Sequence, residues 1–85
     1  MKEERDLARL KEVGIYLKHL RLNAGLSQDE LAARCDLTKS NISNIENGKK
    51  DYFFTTFLEY AKGLDLQPRA LLDNDFGFSR NEKFT

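Results

Sequence analysis

Residues 27–50 read SQDELAARCDLTKSNISNIENGKK. Ser27 and Glu30 have the spacing of a capping box, in which the hydroxyl accepts a free helix amide and the carboxylate reaches back to the amide of the cap residue. A helix therefore opens at Ser27, with Leu31 and Cys35 one turn apart and facing inward with Leu26. Cys35-Asp36-Leu37 reads as a turn of about three residues. Thr38 is a second N-cap residue, and Asn47-Gly48 marks the stop of the helix it opens. The stretch is two short helices joined by a tight turn.

The second helix is unusual on its outer side. At about 100° per residue, Ser40, Ser43, Asn44 and Asn47 share one face, while Ile42 and Ile45 take the opposite, inward one. A plain solvent face normally carries Glu and Lys, which are better helix formers than Ser and Asn. Ser and Asn can hydrogen-bond base edges, Asn bonding an adenine through two bonds at once, and Lys39 in the first turn can reach a phosphate or a guanine. Periodicity alone fits a helical hairpin in a bundle as well as a reader of DNA.

Outward from this pair, Leu7, Leu10, Val13, Leu17, Leu20 and Ala24 recur at spacings of three and four and predict a first helix over residues 4–24. Gly14 interrupts it, at about 1 kcal/mol relative to Ala, and marks residues 1–12 as a loosely attached helical extension. Gly25 stands where a helix C-terminus commonly places glycine. Phe54, Phe57, Leu58, Ala61 and Leu64 predict a fourth helix over residues 55–63, and Pro68 opens a fifth, with Leu71 and Leu72 on its inner side. Phe54 and Phe57 read as core; Tyr52 and Phe53 fit either a core gap or a partner's surface. The tail, residues 73–85, is polar except for Phe76, Phe78 and Phe84. Phe76 and Phe78 alternate as in a half-buried strand, so the tail, with Leu71 and Leu72, is expected to pack against a second subunit. Folding back against Tyr52 and Phe53 is the alternative. The expected architecture is all-α, a compact five-helix bundle over residues 13–72, between the extension 1–12 and the tail 73–85.

Composition narrows the function. Eighty-five residues make one domain. No run approaches the roughly 18 apolar residues of a membrane span, and MKEERDLARLKE has no apolar centre, so it does not read as a secretory signal; a cytoplasmic protein is expected. One cysteine, Cys35, and one histidine, His19, cannot make a metal site; Cys35 reads as a small buried hydrophobe and His19 as a solvated surface residue. No cofactor loop, paired-carboxylate site or nucleophile motif is present, so no enzyme is expected. The 14 basic and 14 acidic residues cancel, but residues 13–50 hold six basic against four acidic and residues 51–85 the reverse. A neutral total thus permits a basic face and predicts weak non-specific DNA binding.

Taken together, Arg21, Gly25-Leu26-Ser27-Gln28, Glu30-Leu31-Ala32, Thr38, Ile42-Ser43 and Glu46-Asn47-Gly48-Lys49 resemble the Cro and lambda-repressor-like (XRE) family of helix-turn-helix proteins, and FLEYAKGLDLQPRALL resembles that family's fourth and fifth helices. The resemblance, over residues 13–72, implies a bacterial or phage transcription regulator, most simply a repressor, that binds a palindromic double-stranded operator as a homodimer, with the helix over 38–47 in the major groove. It implies base reading by Lys39, Ser40, Ser43 and Asn44. Phosphate binding falls to Ser27 and Gln28 and, after the reading helix, to Asn47 and Lys49. Arg21 and Glu46 correspond to a structural ion pair. An antitoxin with a toxin partner, or a protein-binding module without DNA contacts, are the alternatives. Two departures stand out: Asp36 where the family usually has a turn glycine, which would ask Asp for a left-handed conformation, and Asp51-Tyr52-Phe53 where Asn-Pro is frequent.

Overall fold

Capping boxes close the amino ends of the two central helices. In the computed structural model, which describes residues 2–74 and their side chains from Asp6 onward, the Ser27 hydroxyl accepts the Glu30 amide at 3.0 Å and Glu30 Oε1 accepts the Ser27 amide at 2.7 Å. Thr38 and Asn41 make the same reciprocal pair, both bonds 3.0 Å. The first box was legible as Ser-x-x-Glu; the second uses Asn41, whose shorter side chain also reaches back to the cap amide.

Among the described residues, four α-helices follow in chain order: α1 (Lys2–Asn23), α2 (Gln28–Ala32), α3 (Lys39–Glu46) and α4 (Phe54–Leu64). The expected fifth helix is a single 3-10 turn, Pro68–Leu72. Proline supplies its first residue, but the cap residue Gln67 makes no side-chain hydrogen bond, whereas the equally short α2 has a full capping box. The Tyr16 hydroxyl pins this turn to α1, lying 3.1 Å from the Ala70 carbonyl and 3.0 Å from that of Asp73.

The core is Leu17, Leu31, Ile42, Ile45, Phe57, Tyr60, Ala61, Leu64 and Leu71, with Val13, Leu20, Leu26, Cys35 and Tyr52 packed against it. The first helix meets expectation only in part. Leu17 is fully buried, whereas Leu7 and Ala24 are exposed: a 22-residue helix is about 33 Å long and outruns α3 and the 3-10 turn it packs on. Phe57 is buried as expected, but Phe54 is not core. It is 67% exposed and Phe53 81%, Phe54 merely stacking on Phe57 at 6.0 Å.

α2 ends at Ala32, and Cys35 lies in the turn read from Cys35-Asp36-Leu37; it is half-buried, its thiol donating to the Leu31 carbonyl at 3.4 Å, with burial pushing its pKa up. The left-handed conformation expected of Asp36 is not used: Asp65, which caps α4, is the only non-glycine residue with positive φ among the described residues. A longer turn reaches α3 without it, and the Glu59 carboxylate accepts the Asp36 amide at 2.8 Å. Gly63, the expected last residue of the fourth helix, lies inside α4 and packs against Leu31 and Cys35.

Candidate nucleic-acid interface

The polar outer face lies on α3, and α3 rests on a buried charge cluster. Ile42 and Ile45 anchor the helix in the core, at 0% and 3% exposure. One turn on, Glu46 is equally buried and accepts four hydrogen bonds. Arg21 donates through Nε at 2.7 Å and Nη2 at 2.9 Å, Tyr60 Oη donates at 2.6 Å and Gln28 Nε2 at 3.1 Å. Arg21 Nη1 donates to the Leu26 carbonyl at 2.8 Å, which fixes the turn between α1 and α2. One guanidinium thus ties together α1, the turn and α3, in the bidentate geometry that suits Arg to a carboxylate. Burial pushes the Glu46 carboxyl up, but the bonds from Arg21, Tyr60 and Gln28 outweigh it and hold the group below the ordinary range. Burial, reinforced by the Glu46 carboxylate, pushes the Tyr60 phenol far up, so it stays a proton donor.

The expected pair of Arg21 and Glu46 is therefore present. Tyr60 and the inward role of Gln28 were not anticipated. A tyrosine on the apolar stripe of α4 signals only that its hydroxyl needs a partner; that the partner is Glu46 depends on how α4 crosses α3.

On the outer side, Lys39, Ser40, Asn47 and Lys49 are exposed and Ser43 and Asn44 are half-buried. Asn47 Nδ2 donates to Ser43 Oγ at 3.3 Å, along one edge of the face. Lys39 Nζ lies 3.6 Å from Asp29 Oδ2, an exposed pair worth about 0–1 kcal/mol and easily exchanged. The amino end of α2 is less open to anions than its sequence implies. The Ser27 amide is bonded to Glu30 and one Gln28 side-chain hydrogen to Glu46, which leaves the Ser27 hydroxyl proton, the second Gln28 side-chain hydrogen and the first-turn backbone amides of Gln28 and Asp29 to donate. Of the residues expected at a dimer contact, Leu71 is fully buried in the protein's own core and unavailable, Leu72 is 56% exposed, and Phe76 and Phe78 lie outside the described residues. No metal-binding group of His, Cys, Asp and Glu occurs among the described residues, and no described helix is long and apolar enough to cross a membrane.

Two short capped helices joined by a tight turn, the second presenting a polar face, form the helix-turn-helix of DNA-binding regulators of transcription. The chain belongs to that family, whose model, described as a helix-turn-helix domain, matches residues 12–74. Within the family it is similar to the control protein C.BamHI of Bacillus amyloliquefaciens, 36% identical over 61 residues that cover 71% of this chain and 75% of that protein. Its fold is similar to the crystal structure of the restriction-modification controller protein C.AhdI from Aeromonas hydrophila, at 35% identity and a TM-score of 0.69, covering 73% of this chain and 94% of that one. The wild-type restriction-modification controller protein C.Esp1396I is 26% identical with a TM-score of 0.70, over 76% of this chain and 86% of the other.

Proposed function

We propose that the protein is a sequence-specific regulator of the controller type, which sets α3 in the major groove of a palindromic operator and acts as a homodimer, in the bacterial cytoplasm. The observation that carries this reading is the outer face of α3: Ser40, Ser43, Asn44 and Asn47 spend helix propensity on groups suited to base edges, on a helix held rigid from behind by Glu46. Lys39 and Asn44 read bases with Ser40 and Ser43. Ser27, Gln28, Asn47 and Lys49 hold phosphates on either side. Pairing is required because one small module buries too little surface for tight specific binding, and two copies on a palindrome supply the remainder. Leu72 and the tail are the proposed contact, which leaves residues 13–72 as the DNA-binding unit.

Selection of bound sequences from a random duplex pool tests the reading, and a two-fold symmetric consensus is the expected product. Asn44→Ala should weaken binding to that site by about 1–3 kcal/mol and relax preference at one or two base pairs; an unchanged consensus removes Asn44 from the reading set. Sedimentation of the full chain should show a dimer that weakens when residues 75–85 are deleted; a monomer at high concentration refutes the pairing.

A further inference from the structure

The amino-terminal turns of α1 are tied to the reading helix by two glycines. A Cβ added to Gly14 would strike the backbone oxygens of Glu46 and Ile45, so α1 crosses the carboxyl end of α3 backbone to backbone. Three residues further back along α1, Lys11 meets Gly48, the left-handed residue after α3. A Cβ on Gly48 would lie 2.6 Å from Lys11 N, 2.7 Å from its Cα and 2.8 Å from its Cγ. The stem of Lys11 therefore starts out across Gly48, next to Lys49, whose amide is fastened to the Asn44 carbonyl at 3.2 Å. Both lysines are exposed. The helical neighbours of Lys11 at three and four residues, Leu7, Ala8, Gly14 and Ile15, include no carboxylate, so no pairing along α1 holds its ammonium.

We propose that Lys11 binds a DNA phosphate beside Lys49, so that the amino-terminal turns of α1 form part of the nucleic-acid interface. The inference rests on the DNA-binding reading above and deepens it. Two ammonium groups rooted on either side of Gly48 grip the backbone where the chain leaves α3, a contact that adds affinity and fixes register without reading sequence. The competing role for Lys11 is electrostatic, as a cation beside the carboxyl end of α3; that role acts on folding and not on the salt dependence of binding.

The experiment is the affinity of the full chain for mixed-sequence duplex DNA and for its selected site as salt is raised, in wild type, Lys11→Gln, Lys49→Gln and the double variant. Each single change should lower the salt slope by about one and the double by about two, with base preference unchanged. Between 50 and 200 mM salt, the wild type should lose about 3.5-fold more affinity than Lys11→Gln. Lys11→Arg should restore the slope. If Lys11→Gln keeps the wild-type slope while Lys49→Gln loses its share, the DNA-binding reading stands and this inference is overturned. A wild-type chain that binds neither duplex overturns both.

Discussion

Glu46→Ala is expected to lower the free energy of unfolding by about 3–5 kcal/mol, the cost of leaving a buried charge without its partner. The residue stranded is Arg21, whose side chain is only 5% exposed and whose Nε and Nη2 both donate to the lost carboxylate. Tyr60 and Gln28 lose an acceptor in the same step. At about 4–8 °C per kcal/mol for a domain of this size, the melting temperature should fall by upwards of about 12 °C. Glu46→Gln keeps an acceptor and should lose less. The same cluster sets an acid limit. The Glu46 carboxyl is held below its ordinary value in the folded state, so its contribution is complete above the unfolded value of about 4.3 and is lost as pH falls through the lower folded value. Wild-type melting should therefore drop more steeply below about pH 4.5 than melting of Glu46→Gln. A Glu46→Ala chain that melts like wild type yet no longer binds DNA would move Glu46 from the scaffold to the site.

Gly14→Ala reverses the sign that helix propensity alone suggests. In an exposed helix interior the change stabilises by about 1 kcal/mol. Here the added methyl would overlap the backbone oxygens of Glu46 and Ile45, which no side-chain rotation can move aside. Overpacking of this kind costs about 1–3 kcal/mol, and it separates α1 from α3 where Arg21 and Lys11 both depend on the crossing. Net destabilisation, with weakened DNA binding of the fraction that remains folded, is the expected result of thermal melts and titrations. A more stable Gly14→Ala chain would show that the two helices yield without cost and would loosen the basis for placing Lys11 at the interface.

The helix ends and the two faces of α3 that frame the candidate site were legible because short-range signals agree with one another. Ser27 with Glu30, Thr38, Gly25 and Gly48 mark helix ends through chemistry confined to a few neighbouring residues. The spacing of Ser40, Ser43, Asn44 and Asn47 against Ile42 and Ile45 sets the two faces of α3 before any tertiary contact is known. Legibility failed where the answer lay in another element. Phe54 has a core-like period, but α4 turns the stripe through Phe57, Tyr60, Ala61 and Leu64 inward, and Phe54 falls past its edge. Leu71 and Leu72 are adjacent and chemically identical; the 3-10 turn sends one into the core and leaves the other outside. Gly14 reads as an interruption because the cost of a glycine is visible in the sequence while the backbone pressed against it is not.

The sequence by itself determined the helix-turn-helix, its caps and the polar outer face of α3, because hydrogen bonds to a helix end and the periodicity of a helix are properties of residues a few positions apart. Only the tertiary structure decided that Tyr60 and Gln28 complete the Arg21–Glu46 cluster, that the fifth helix is a single 3-10 turn, and that α1 lies close enough to α3 to carry Lys11 to Gly48. Those outcomes depend on crossing angles and close approach between segments tens of residues apart, which side-chain volumes at the contacts settle and no local pattern records.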